Sequence, residues 1–308
     1  VIKSLSTKKK QNNKIGKLQY KSQINSIPLK QYGYTHEFIN KKLRLTKCKP
    51  YFHINDLKQI PENAEFANAN LIKKPSGYYL KVTCYLDKEK ENNTREIIGI
   101  DFGIKDDITL SNGIKFQTKF PITKRIKKEQ RKLSKKTKNS NNYKKQKSKI
   151  ALAYEILTNK KKDIRNKIVS YLKNNYSHIA IQDENIKGWH SGLFGRQVQQ
   201  SILGGIISEL KKLPQTSIVD KLFPSTQLCN KCGLLNKMKL SDRVYRCRCG
   251  SIEDRDIHSA YNILLESLPM EHRKFTPVEF NTSALDSLKL SNASMNIEPG
   301  KYNSLMLC

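Results

Sequence analysis

A chain of 308 residues is long enough for about two domains, each with a core of its own. Its 58 Lys+Arg against 27 Asp+Glu leave a formal net charge of +31, which repels itself in a compact fold unless a polyanion shares the surface, so nucleic acid is the expected partner. No apolar run of spanning length and no signal-peptide pattern are read, so no membrane role is expected. Seven cysteines, four of them in close pairs, suit a reducing compartment better than a disulfide framework.

Residues 1–95 read as strands and turns. The run from Gly77 to Leu86 is rich in aromatic and β-branched residues behind a Pro75-Ser76-Gly77 turn, and Lys17–Tyr20 and Leu43–Leu45 alternate polar with apolar. Tyrosines interleaved with lysines predict a sheet or barrel facing nucleic acid, with an ordinary solvated basic face as the alternative. Next come three predicted strands, Ile97–Gly103, Ile108–Leu110 and Ile114–Phe116, the last two joined by Asn112-Gly113. On the first, Ile98, Ile100 and Phe102 share one face and Gly99, Asp101 and Gly103 the other, and the glycines are expected to leave room for a phosphate and a metal at Asp101.

Between 121 and 165 lie 17 Lys/Arg and three acids, with a break at Asn139–Asn142. Ile150, Tyr154, Leu157, Ile164, Ile168 and Leu172 recur at helical spacing, so the segment 121–176 predicts a basic hairpin of two helices. His178–Glu184 is a short apolar strand ending in two carboxylates. A helix is predicted after Gly195, with Val198, Ile202, Ile206 and Leu210 as its buried stripe, then a strand at Ser217–Val219. Beyond Asp256, Ile257, Ala260, Tyr261, Ile263 and Leu264 mark a final helix, and the tail past Pro269 is expected to be poorly ordered.

Before that helix stand Cys229-Asn-Lys-Cys232-Gly233 and Cys247-Arg-Cys249-Gly250. Paired thiols on two tight turns supply a tetrahedral zinc site, and the glycines let each turn close. Cys48, Cys84 and Cys308 read as plain thiols. Glu253, Asp254 and Asp256 follow the second pair, setting hard oxygen ligands beside soft sulfur ones. Carboxylates at Asp101, at 183–184 and at 254–256 thus ride on an order of three strands, helix, strand, helix, strand and helix. That is the RNase H-like α/β pattern, which gathers acids at one sheet edge around two Mg²⁺ ions about 3.5–4 Å apart.

The blocks IIGIDFGIKDDITLSNG, FPSTQLCNKCG and CRCGSIEDRDIHSAYNIL, in this order, resemble the TnpB family of transposon-encoded, RNA-guided DNA endonucleases, which is related to type V CRISPR effectors. The resemblance implies a β-barrel-like wedge domain at 1–95 and a RuvC nuclease domain at 96–222 and 253–268. It further implies a zinc-ribbon insertion at 223–252 and a tail at 269–308. It implies a guide RNA made from the transposon end, a double-stranded DNA target beside a short adjacent motif, and a bacterial cytoplasmic location on the nucleoid. Carried over, Asp101 is the first acid and Asp256 the third, with Asp254 its near neighbour. The family's middle motif carries Glu where this chain has Gln182. Glu184 is preferred to Asp183 as its replacement, because residues two apart on a strand share a face. Cys-x-Cys replaces the commoner Cys-x-x-Cys, His258 stands where the family has Asn, and family members carry a first wedge strand and recognition helices ahead of the position of Val1. The expected function is Mg²⁺-dependent, RNA-guided DNA cleavage that maintains the transposon. The alternatives are a nuclease-weakened or nuclease-dead RNA-guided repressor, a compact type V effector, and a transposase joining DNA directly.

Overall fold

A computed structural model describes residues 24–86, 96–104, 106–239 and 241–269. The expectations for Lys17–Tyr20, Cys308 and the tail from residue 270 lie outside them. The chain separates into two compact units that divide at residue 90.

The first unit is all-β: β1 (Ser26–Leu29), β2 (His36–Ile39), β3 (Lys42–Leu45), β4 (Phe52–His53), β5 (Glu65–Lys74) and β6 (Gly77–Tyr85). They form two antiparallel sheets, in the orders β1-β5-β6 and β2-β3-β4. The β5–β6 hairpin turns through Gly77, whose φ of 148° a side chain would strain. Phe66 joins the sheets, stacked on Tyr32 at 4.9 Å and edge-on to Phe38 at 5.1 Å. A cavity of about 680 Å³ is lined by Leu43, Phe52, Ile60, Leu71, Leu80 and Val82. Among the described residues, strand pairing stays within these two sheets.

The second unit opens with β7 (Glu96–Phe102), β8 (Ile108–Leu110) and β9 (Lys115–Phe116), an antiparallel meander. Gly113, at φ 89°, makes the β8–β9 turn that the Asn-Gly pair predicts. Helices α1 (Lys124–Ser134) and α2 (Asn141–Asn175) follow as the predicted hairpin, N-capped by Thr123 and Ser140. Asn139, in the left-handed region at φ 65°, breaks the helix between them. The second half of α2 lays Ile164, Ile168 and Leu172 into the core. Among the described residues no helix is long and apolar enough to cross a membrane.

Strand β10 (Tyr176–Gln182) runs parallel to β7, and β11 (Thr216–Val219) parallel to β10, giving the order β11-β10-β7-β8-β9. Between β10 and β11 lie three short helices, α3 (Ile186–Ser191), α4 (Gly195–Gln200) and α5 (Leu203–Leu210). The single helix predicted after Gly195 is therefore two, although Val198, Ile202, Ile206 and Leu210 are all buried as expected. The break has a local cause. Ser201 Oγ donates to Val198 O and accepts from Leu203 N, while Lys161 of α2 takes the carbonyls of Gln199 and Ser201.

The two-stranded ribbon β12 (Val244–Arg246) and β13 (Ile252–Asp254) leads into α6 (Arg255–Ser267). Helix α6 lies against β7 at Gly99, where an added Cβ would stand 2.0 Å from Ala260 O and 2.8 Å from Leu264 Cβ. The glycines beside Asp101 thus have a different purpose from the one expected. Gly99 admits a helix and Gly103 admits the Asp106 carbonyl, 2.7 Å from its Cβ position, so neither is space for a ligand.

Candidate functional site

Asp101 stands near the C-terminal end of β7. Ile181 is paired with Ile100, so Gln182 is level with Asp101 on the neighbouring strand, and Val219 is level with Gln182 on the next. Helix α6 brings the third partner. From the Ala260–Gly99 contact, Asp101 lies two residues up the strand, about 7 Å. Asp256 lies one turn back on the helix, about 6 Å. Both carboxylates therefore reach the same edge of the sheet.

Asp254 and Asp256 divide the work at the start of α6. Asp254 is the N-cap, accepting from the backbone N–H of Asp256 at 3.0 Å and of Ile257 at 3.2 Å, and from Lys115 Nζ at 2.9 Å. Burial pushes its carboxyl up, but Lys115 and those N–H groups outweigh this and hold it below the usual range. Asp256 sits inside the first turn, where Arg255 Nε and Nη2 bind its Oδ1 at 3.1 and 2.9 Å and Arg243 Nη1 lies 3.8 Å from Oδ2.

The two acids after β10 also part company. The strand stops at Gln182, and Glu184 N bonds back to Gln182 O at 3.0 Å, a tight turn centred on Asp183. The turn throws the Asp183 carboxylate outward onto Lys211, which holds its pKa down. Glu184 is turned inward, where burial and the Asp183 charge push its pKa up. Strand parity, the reason for preferring Glu184, does not operate here, because the strand has ended.

Asp101 keeps some surface toward solvent, yet its carboxyl is set deeply enough that burial dominates its pKa and pushes it up to about 8. A hydrogen bond from Ser259 opposes this, the charges of Asp256 and Glu184 add to it, and Arg255 pulls it back. Glu184 and Asp256, from a turn and a helix, thus both press on Asp101 of the strand, and Ser259 donates a hydrogen bond to the Asp101 carboxyl at 3.0 Å. Mutually repelling carboxylates around a partly open point form an all-oxygen donor set that fits a hard divalent cation.

Sequence reasoning noted Gln182 only as standing in place of the family's Glu, and missed Ser225 and Ser259, which join it to Asp101. Gln182 is 5% exposed, and its Nε2 donates to the carbonyls of Asp220 at 3.0 Å and Phe223 at 2.8 Å. Its Oε1 meets Ser225 Oγ at 3.0 Å, Ser225 Oγ meets Ser259 Oγ at 3.0 Å, and Ser259 Oγ meets Asp101 Oδ1 at 3.0 Å. Helical spacing was the available signal for Ser259, three residues past Asp256 on one helix face.

The four cysteines converge with all Sγ atoms within 4.8 Å of one another. Cys229 and Cys249 are 3.7 Å apart and Cys232 and Cys247 3.5 Å, with no disulfide among them. A tetrahedral site with Zn–S bonds of about 2.3 Å separates its sulfurs by about 3.8 Å, so the four thiols can hold a zinc ion. Gly233 at φ 73° and Gly250 at φ 88° close the two knuckles, and the one-residue spacer Arg248 does not prevent convergence. The backbone N–H of Cys249 is the largest influence on the Cys247 thiol, which is pulled down to about 6.

His258 has a structural part to play. It is fully buried, stacks on Tyr245 at 3.7 Å, meets Glu253 at 3.0 Å through Nδ1 and meets Leu228 O at 2.7 Å through Nε2. Asn262 also donates to Leu228 O, at 2.8 Å. Helix α6 is thereby bound to the residue that precedes Cys229.

Two family models match the chain in order. One, OrfB of the IS605 type, described as "Probable transposase", matches residues 79–190, and the Cas12f1-like TNB domain matches residues 214–263. A "Putative RNA-guided DNA endonuclease" of Streptomyces pristinaespiralis is 28% identical over 74% of this chain and 60% of its own length. "TnpB-like protein L79" of Acanthamoeba polyphaga mimivirus is 28% identical over 61% of this chain and 40% of its own length. The chain is similar to proteins of the TnpB family. The first match takes in Asp101 and Glu184, and the second all four cysteines and Asp256. "Putative RNA-guided DNA endonuclease InsQ" of Escherichia coli K12 is a further relative, 29% identical over 54% of this chain and 48% of its own length. The chain thus spans about half to three-fifths of the length of these two bacterial relatives. A chain in the cryo-EM structure of a Cas12f1–sgRNA–target DNA complex aligns with 82% of this chain and 69% of its own length at 17% identity, with a TM-score of 0.35.

Proposed function

We propose that this chain carries the catalytic part of an RNA-guided, Mg²⁺-dependent DNA endonuclease that maintains its transposon. Asp101, Glu184 and Asp256 hold the cations, and the four cysteines hold a structural zinc. The observation that carries the reading is the raised Asp101 carboxyl, pressed by Glu184 and Asp256, since a cation is what relieves such a cluster. Magnesium bound there supplies the charge that activates water and stabilises a leaving 3′ oxygen. The chain's own part is to bring three acids to one edge while Arg255 and Arg243 restrain Asp256. Double-stranded DNA and a guide RNA from the transposon end are the partners proposed for the +31 charge, and the bacterial cytoplasm the place.

Gln182 supports a second reading. A neutral amide level with Asp101 and bound to two carbonyls supplies no carboxylate ligand, and this favours a nuclease-weakened, RNA-guided DNA-binding protein. The test is plasmid cleavage by the protein purified with RNA from its own locus, in Mg²⁺ and in EDTA. Cutting that EDTA and Asp101→Ala both abolish supports the nuclease. Glu184→Gln is then expected to lower the rate at least a hundredfold and Asp183→Asn less than threefold, as judged from single-turnover rates. Guide-dependent binding without cutting supports the second reading.

A further inference from the structure

The three contacts linking Gln182 to Asp101 have a direction that can be read by counting protons. Gln182 Nε2 faces two carbonyl oxygens, which only accept, so its amide orientation is fixed and Oε1 is the acceptor for Ser225. Ser225 has one hydroxyl proton, and giving it to Gln182 leaves the Ser225–Ser259 contact to be filled by the proton of Ser259. The single Ser259 proton is then contested between Ser225 Oγ and Asp101 Oδ1, each 3.0 Å away. With Asp101 ionised, as it is when it holds a cation, three oxygen–oxygen contacts share two hydroxyl protons. Ser225 and Ser259 are 5% and 0% exposed, so water is poorly placed to make up the difference.

We propose that Gln182 is a positioning residue for Asp101: through Ser225 and Ser259 it competes with the Asp101 carboxylate for hydroxyl protons, and so tunes how readily that carboxylate accepts a cation. This rests on the reading of Asp101 as a cation ligand. It also gives Gln182 a purpose of its own, since a carboxylate in its place would turn an oxygen toward the carbonyls of Asp220 and Phe223.

The competition predicts opposite signs for two neighbouring substitutions. Ser259→Ala removes the donor to Asp101 and is expected to weaken Mn²⁺ binding by roughly tenfold, the scale of a lost hydrogen bond to a charged group. Ser225→Ala frees the Ser259 proton for Asp101 and is expected to tighten Mn²⁺ binding several-fold. The experiment is calorimetric Mn²⁺ titration of the full chain and both variants. It is paired with the carboxyl-carbon NMR signal of Asp101 in the metal-free protein at one fixed pH above about 8, where the carboxyl is ionised, assigned by its loss in Asp101→Asn. The expected result is displacement of that signal in opposite directions by the two variants, with thermal melts showing both folded. Same-direction displacement with both affinities weakened would overturn the competition and leave the serines as packing. If the wild-type chain shows no Asp101-dependent Mn²⁺ binding, the cation-site reading fails, and the metal-free signals still decide the competition.

Discussion

Asp101 carries a cost in the metal-free protein that can be measured. Its folded pKa is raised from 3.8 to about 8, mainly by burial, so the folded state holds that proton more tightly than the unfolded chain does. The stability contributed by the neutral carboxyl is fully present below the unfolded value and is lost as pH rises through the folded one. Asp101→Asn, which stays neutral, should therefore match the wild type near pH 4 in EDTA and become progressively more stable than it up to about pH 8. The slope would be at most about 1.4 kcal/mol per pH unit. Denaturant unfolding across that window checks it, and a constant gap between the two proteins would show that the carboxyl is not raised. The same sign applies to the cation: below about pH 8, cation uptake must release the Asp101 proton, so affinity rises with pH until that value is passed.

Among the elements, α6 does most to assemble the site, and Gly99 is where it seats. An added methyl at Gly99 would stand 2.0 Å from the Ala260 carbonyl, which is backbone and has no rotamer by which to escape. Gly99→Ala is expected to lift α6 off β7, cost about 1–3 kcal/mol, and weaken Mn²⁺ binding by moving Asp256 away from Asp101. Thermal melts with Mn²⁺ titration test it; unchanged affinity would mean that Asp256 does not depend on this seat. The cysteine knuckle holds the other end of the same helix segment. Removing a metal from the four thiols should release Leu228 O from His258 and Asn262, exposing Tyr245. Chelation by a thiol-competitive agent should then raise amide exchange over residues 228–262 well before it affects α2. Uniform exchange throughout the unit would reject a localised role for the knuckle.

The same elements separate what was legible in the sequence from what was not. Periodicity revealed the meander, the basic hairpin and α6, because each buries one regular face, as Ile98, Ile100 and Phe102 do on β7. It could not reveal that Ser201 ends a helix whose apolar stripe continues past it. Nor could it show that the chain turns at Asp183, so that Glu184 reaches inward through a turn rather than along a strand. The chain brings Asp101, Glu184 and Asp256 together, but the contacts behind them, from Gln182 through Ser225 to Ser259, join positions with no common period and are visible only in three dimensions.

Over the whole molecule, the excess of charge is concentrated rather than spread. Lys127, Lys128, Arg131 and Lys135 on and just beyond α1 are all exposed, and the only acid on that helix, Glu129, is occupied by Lys132 and Gln146. Among the described residues, the Lys132–Glu129 pair leaves the rest of this helix's positive charge without an ion-pair partner, so a phosphate backbone is the natural counterion. If it binds nucleic acid, log affinity should fall linearly with log salt concentration, at a slope of about −0.9 for each duplex phosphate neutralised. Changing Lys127, Lys128, Arg131 and Lys135 to Gln together should reduce that slope by up to about 3–4 and weaken binding similarly for unrelated sequences, because phosphate contacts carry no base information. Fluorescence anisotropy over a salt series, with two duplexes of different sequence, measures both quantities. A slope unchanged by the four substitutions would assign the hairpin's charge to solvation and send the search for the nucleic-acid surface to the tyrosine- and lysine-bearing β5–β6 hairpin. There Lys74 already sits 3.9 Å over the ring of Tyr79, and Tyr78 is 70% exposed.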